Sequence, residues 1–356
     1  MIFEEKDEIY TRCHLLICME NSILTHIGST PLVSLRRIPV EEDCRSDISL
    51  KLEFFNPTGS LKDRIYLEMF RDAMADGKLR RGMSVVEAST GNAGISCTFV
   101  GRALGFQVTV VMPENMSEER GRLIEAFGGK IIKTTGGESD VDIAIEKVRS
   151  IMADGGNEFW FPNQFENASN PKAHYRTTGP EILKQSGGRV DAFVAASGSG
   201  GTVSGVGRYL KEAKPGIRVY TVEPEEAPVL SSLNSGTHRI EGIGDGFVPP
   251  NLDLSLLDGV ITVSSEEAME MTRRLHRDEG IFCGISSGCN VAAALKLAFR
   301  HPELKHIVTM ANDSGNRYFS TELFGYEKKH PVSRDRKIDM RSIREVERHR
   351  HHIEKI

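Results

Sequence analysis

Residues 83–112 read MSVVEASTGNAGISCTFVGRALGFQVTVVM. A short apolar run, Met83–Val86, leads into a polar turn at Ser89–Gly94. Gly94–Leu104 carries helical spacing and stops at Gly105. Val108–Met112 is a second apolar run, closed by Pro113. Strand, turn, helix and strand in that order predict parallel strands joined by a crossover helix. The pattern continues downstream with a helix at Ser117–Phe127, a strand at Lys130–Lys133 and a helix at Val141–Met152.

A second set begins with the strand Ala192–Ala196, a glycine cluster and the helix Val203–Glu212. Val219–Val222, Val260–Val263 and His306–Met310 read as strands, and Glu266–Glu279 and Asn290–Phe299 as helices. Two such sets predict an α/β chain with two open twisted sheets and flanking helices. In that architecture a ligand binds at the carboxyl ends of the strands or between the units.

Composition narrows the classes. The 356 residues are 39% hydrophobic and 27% charged, an ordinary soluble balance. No apolar run approaches the roughly 18 residues of a membrane span, and the acidic start Met1–Glu8 is unlike a signal peptide. A cytoplasmic protein with no membrane partner is expected. The net charge of −5 is uneven: from Glu327 onward ten Lys/Arg face six Asp/Glu, which leaves an acidic body of −9. That body argues against nucleic acid as a partner. Six scattered cysteines suggest free thiols, with no metal set at ligand spacing.

Four motifs carry chemistry. Asn56-Pro57-Thr58-Gly59-Ser60-Leu61-Lys62 turns into a helix whose first turn holds Lys62, where the positive helix end favours a neutral, nucleophilic amine. Ser89-Thr90-Gly91-Asn92-Ala93-Gly94 offers hydroxyls, an amide and backbone N–H groups at a helix start, which suits a carboxylate. Ser197-Gly198-Ser199-Gly200-Gly201-Thr202 lets N–H groups converge on a phosphate. It has neither the lysine of a P-loop nor the pattern of a dinucleotide fingerprint. Gly284-Ile285-Ser286-Ser287-Gly288 opens a further helix.

Together these motifs resemble the cysteine synthase and cystathionine β-synthase family of pyridoxal-phosphate enzymes, fold type II. Ile27–Leu32, Gln164–Asn167, Gly242-Ile243-Gly244-Asp245-Gly246-Phe247 and Ser314–Tyr318 carry the likeness from about Ile23 to Phe324. The resemblance implies pyridoxal 5'-phosphate as cofactor and a homodimer. It implies a large cofactor domain at 23–61 and 158–326, and a small mobile substrate domain at 62–157. Residues 1–22 and 327–356 would be extensions.

By that resemblance Lys62 forms the Schiff base with the cofactor and later takes the substrate Cα proton. Asn92 meets the 3′-oxygen. Gly198, Ser199, Gly200, Gly201 and Thr202 cradle the phosphate. Ser286 meets the pyridine nitrogen, with Ser287 left as an alternative. A neutral hydroxyl there makes the ring a weaker electron sink, which favours β-elimination and β-replacement through an α-aminoacrylate. Ser89, Thr90, Gly91, Ala93, Gln164, Gly242, Ile243, Gly244 and Asp245 would surround the substrate. The expected reaction joins a small amino acid, O-acetylserine, to sulfide to make cysteine, with a thiol as the other nucleophile class. Cystathionine β-synthase-like, O-phosphoserine-dependent and cysteine-desulfhydrase or lanthionine chemistry are alternatives, and a non-catalytic scaffold is one of another class.

The asparagine loop and the Gly242–Phe247 loop depart from the family pattern: Ser89 replaces a threonine and Thr90 a serine, which shifts the pocket shape, and two further positions change its chemistry. Ala93 stands where a threonine is usual, removing a donor worth about 1.5–3 kcal/mol if charge-assisted. Asp245 stands where a small apolar residue is expected, and its charge disfavours an anionic nucleophile while suiting a base or an ammonium. The tail is expected to be helical over Met340–Ile356, with Ile343, Val346, Ile353 and Ile356 on one face. It is expected to dock on its own dimer and to be dispensable for chemistry.

Overall fold

The computed structural model describes residues 22–136, 140–326 and 338–356. Most of the N-terminal extension, including Cys13 and Cys18, and the first part of the charged tail lie outside these. The strands are β1 (Leu32–Ser34), β2 (Asp47–Leu52), β3 (Ser84–Ala88), β4 (Gln107–Pro113), β5 (Lys130–Thr134) and β6 (Phe159–Trp160). After them come β7 (Ala192–Ala196), β8 (Arg218–Pro224), β9 (Gly259–Val263), β10 (His306–Ala311) and β11 (Glu354–Lys355).

They form a seven-stranded sheet, β1-β2-β10-β7-β8-β9-β11, and a four-stranded sheet, β5-β4-β3-β6. Every pairing is parallel except β1 with β2. Parallel strands covered on both faces read as continuous apolar runs, which is the pattern of Val85-Val86 and Ala192–Ala195, all buried. The large sheet packs the helix Ile285–Arg300 on one face and Gly201–Ala213 on the other. The small sheet packs the helices Lys62–Ala75 and Asn92–Ala103 on one face and Val141–Gly155 on the other. It runs on to Trp160, slightly past residue 157, where the small unit was expected to end.

A buried ion network ties the Lys62–Ala75 helix to the large sheet. Arg64 Nε bonds Glu53, at the end of β2, at 2.7 Å, and Arg64 Nη1 bonds Glu181 at 2.8 Å. Lys51 Nζ reaches Glu181 at 2.7 Å. Burial disfavours both Glu53 and Arg64 as charged groups, but their mutual attraction wins: the carboxyl is pulled down and the guanidinium pushed up.

The tail corrects the expectation. Its helix is Met340–His349, started by Asp339, whose side chain accepts the Ser342 N–H at 2.9 Å. Glu354–Lys355 is then a strand, parallel to β9 at the sheet edge. Ile353 and Ile356 therefore reach the core from extended backbone, each joining a different face of the large sheet. Residues spaced by three and flanking a short strand mimic a helical stripe, because backbone pairing has no side-chain signature.

Candidate active site

The carboxyl ends of β3, β7 and β10 face one cleft between the two sheets. Lys62, Ser89, Thr90, Asn92, Ala93, Gln164, Gly198, Ser199, Gly200, Thr202, Gly242, Ile243, Asp245 and Ser286 all line it. Gly91, Gly201 and Gly244 shape the backbone around the cleft and are not part of its lining.

Lys62 begins its helix where the sequence predicts, after a turn held from several sides. Ser60 bridges to Asp313, the Leu61 N–H donates to Asn312 O at 3.0 Å, and Arg317 Nη1 donates to Gly59 O at 2.9 Å. Asp63, fully buried, accepts from Thr58 N at 2.8 Å and Ser96 Oγ at 2.6 Å; burial pushes its carboxyl upward against these bonds. The lysine backbone is thus immobilised on both sides.

The Ser197–Gly200 turn leads into Gly201–Ala213 with no side-chain cap. The first N–H groups of a helix have no intrahelical acceptor, so this end is an anion site in waiting. Gly200 adopts φ +79°, which a side chain resists, and a Cβ on Gly198 would meet Gly242 O at 2.6 Å. Thr202 Oγ1 lies 3.2 Å from His174 Nε2, and burial drives that imidazole down to a pKa of about 3, so it is neutral. Ser199 Oγ accepts from Asn170 Nδ2 at 2.9 Å.

Asn92 Nδ2 donates to Asp313 at 2.6 Å, while its buried Oδ1 has no partner among the described residues. The buried Ser197 Oγ and Gln164 Oε1 are likewise without a protein partner. Orphaned buried polar atoms are rare in folded chains and signal an absent partner. An open glycine cradle with orphaned oxygens around the same cleft fits a phosphorylated, hydroxylated ring such as pyridoxal phosphate.

The two candidate serines separate cleanly. Ser286 lines the cleft, its Oγ accepting from Asn312 Nδ2 at 3.0 Å. Ser287 is fully buried and accepts the Asn312 N–H, so it fixes the β10 end from behind. Asp245 is buried in the cleft wall.

Arg120 is the residue that sequence reasoning missed. It lines the cleft although its helix, Glu118–Ala126, reads as a charged surface segment. Its guanidinium pairs with Glu241, bonds Tyr318 OH at 3.2 Å and reaches Thr90 O at 3.4 Å. The available signal was phase: Met116, Arg120 and Ile124 are all buried at helical spacing. Glu87 on β3 was also passed over. It accepts from Tyr66 OH and Ala88 N, both at 2.9 Å, and from the Gln164 backbone, and burial pushes its carboxyl up to about 8.

Known proteins place this geometry. The pyridoxal-phosphate dependent enzyme family matches residues 23–313. Cysteine synthase 3 of Caenorhabditis elegans is 46% identical over 301 residues, covering 84% of this chain and 88% of that one. A cysteine synthase of Staphylococcus aureus is 42% identical over 308 residues, covering 86% of this chain and 98% of that one. The crystal structure of the Entamoeba histolytica cysteine synthase superposes with a TM-score of 0.82 at 38% identity, covering 87% and 92% of the two chains. The chain belongs to the cysteine synthase and cystathionine β-synthase family of pyridoxal-phosphate enzymes, fold type II.

Proposed function

We propose that this protein makes cysteine by β-replacement, exchanging the acetyl-bearing oxygen of O-acetylserine for sulfide. The observation that carries the reading is one cleft holding a helix-start lysine, an uncapped glycine turn and a neutral serine. Pyridoxal phosphate, when bound, supplies an electron sink that weakens the bonds at the substrate's Cα and Cβ.

The chain supplies the rest. The Gly198–Thr202 turn holds the phosphate through backbone N–H groups and the Thr202 hydroxyl. Asn92 orients the ring through its 3′-oxygen. Ser286 offers the ring nitrogen a neutral hydroxyl, which leaves the nitrogen without the full charge a carboxylate would induce. Ser89, Thr90 and Gln164 hold the substrate carboxylate. Lys62 Nζ takes the Cα proton, and departure of acetate then opens Cβ to the nucleophile. Asp245, on the Gly242–Phe247 wall, meets the nucleophile as a base, taking a proton from hydrogen sulfide rather than pairing with its anion.

We further propose a homodimer, supported by family membership and checked by gel filtration. A reducing, cytoplasmic setting is supported by the free thiols Cys44, Cys97, Cys283 and Cys289. Among the described residues no helix is long and apolar enough to cross a membrane.

The test is a parallel titration of the holoenzyme with O-acetylserine, O-phosphoserine, serine and cysteine, followed by absorbance and then by cysteine release on adding sulfide. O-Acetylserine is expected to give the largest spectral change and the only rapid cysteine formation. Lys62→Ala abolishes turnover. A Lys62→Ala enzyme that still made cysteine at the normal rate would overturn the reading, and a stronger response to O-phosphoserine would change the donor.

A further inference from the structure

The tail lies beyond the residues that match the family, yet it grips the segment that walls the active site. That segment, residues 242–252, wraps the cleft. Gly242, Ile243 and Asp245 line it, the Gly244 N–H donates to Ser197 O at 3.1 Å, and Phe247 packs edge-on against the cleft residue Phe165. Asn251 Nδ2 then donates to Gln164 O at 2.9 Å.

At the midpoint of this wall both backbone groups of Val248 are taken by the tail helix. The Val248 N–H donates to Ser342 Oγ at 2.9 Å, and Arg341 Nη2 donates to Val248 O at 2.6 Å. Ser342 is fully buried, and its hydroxyl donates its proton to Asp339 at 2.6 Å, so toward Val248 its oxygen acts as an acceptor. Val248, Leu252, Leu254 and Val346 share one apolar cluster. The tail is secured beyond it, where the Glu354 N–H donates to Asp258 O and the Ile356 N–H to Val260 O, both at 2.9 Å.

We propose that Ser342 and Arg341 are positioning residues for the nucleophile side of the active site: the tail clamps Val248 and so fixes the Asp245 wall. Of the residues proposed to hold the amino-acid donor, Ser89 and Thr90 follow β3 on the opposite sheet, while Gln164 meets the wall through Asn251. Loosening the clamp therefore acts chiefly on the second substrate and on the first only through Gln164. This replaces the expectation that the tail is dispensable. It rests on the proposed β-replacement for its kinetic readout but not for its structural one.

The test uses the full-length holoenzyme and three variants, Ser342→Ala, Arg341→Met and Ser342→Thr. Amide hydrogen exchange across residues 242–252 is expected to quicken about tenfold in Ser342→Ala, the effect of one lost buried hydrogen bond. KM for the nucleophile rises about fivefold, while kcat and KM for the donor stay within about twofold. Arg341→Met shifts the same quantities in the same direction, and Ser342→Thr, which keeps the hydroxyl, restores them. Unchanged exchange and unchanged nucleophile KM in both Ser342→Ala and Arg341→Met would overturn the clamp. So would a rise of both KM values in step with a lower Tm, since that is general loosening. If the wild-type enzyme makes no cysteine from any donor, the proposed function fails, and the exchange measurement still decides the clamp.

Discussion

The Ser89–Gly91 turn and the Ser197–Gly200 turn follow the same plan: a buried parallel strand, a serine-glycine turn and a helix pointing its N-terminus into one cleft. They differ in what satisfies the helix. Ser89 Oγ accepts the N–H groups of Gly91 and Gly94, at 2.9 and 2.8 Å, so a side chain of the first turn satisfies two donors at the start of its helix. The second has no side-chain cap. With both lone pairs occupied, the Ser89 hydroxyl has only its proton left to offer, which makes it a pure donor toward a carboxylate. In the proposed reading the turn with the serine acceptor would orient a small acid through side chains, and the open one would surround a phosphate with backbone. Similar sequences at the two turns would in that reading serve different ligands, according to the N–H groups each leaves to a ligand.

The largest break in this contrast comes from closing the open turn. Gly198→Ala puts a methyl against Gly242 O and weakens pyridoxal-phosphate binding about tenfold to a hundredfold, the range of overpacking by 1–3 kcal/mol. Fluorescence titration of the apoenzyme measures this, and unchanged affinity would move the phosphate elsewhere. Opening the closed turn comes next. Ser89→Ala strips two N–H groups of their acceptor, lowers stability by about 1–2 kcal/mol and raises KM for the donor about tenfold, with cofactor affinity unchanged. A loss of cofactor affinity instead would erase the distinction between the turns.

Glu87, two residues before Ser89, sharpens the contrast through pH. The folded chain holds its proton up to about pH 8, whereas the unfolded chain releases it near 4.5. The native state therefore binds more protons in that window, and this group's contribution to stability falls as pH rises from about 4.5 to about 8. Glu87→Gln should flatten the slope of stability against pH there, as read by urea midpoints at pH 5, 6.5 and 8. An unchanged slope would mean the carboxyl is ionised when folded. The smallest effect is Ala93→Thr, which restores one hydroxyl to the capped turn. It should lower donor KM about threefold to fivefold, roughly 1 kcal/mol for one hydrogen bond, as read in steady-state kinetics.

The sequence disclosed what depends on local pattern. Buried parallel strands read as apolar runs, Val85-Val86 in β3 and Ala192–Ala195 in β7, and the glycine turns need residues that few other settings use, so both strands and both turns were visible, though Glu87 cut the first run short. Features set by tertiary contact were not. Ser286 and Ser287 are adjacent on one helix, and only the position of Asn312 tells which meets the cleft. Arg120 carries a charge that belongs on a surface until Glu241, distant in the chain, neutralises it. Strand β11 forms through backbone bonds to β9, and its flanking isoleucines imitate a helix face.

The pairing of β2 with β10 also bears on how the chain is assembled. All four strands of the small sheet fall between Ser84 and Trp160, so that unit can close early during synthesis. β2 precedes it, yet its parallel neighbour is not made until His306–Ala311. Until then β2 has only the three residues of β1 beside it, and a bare edge meets every other nascent strand. Non-local parallel pairing is slow to form. Closure of the large sheet therefore waits on β10, which joins its earliest part, β1 and β2, to the rest.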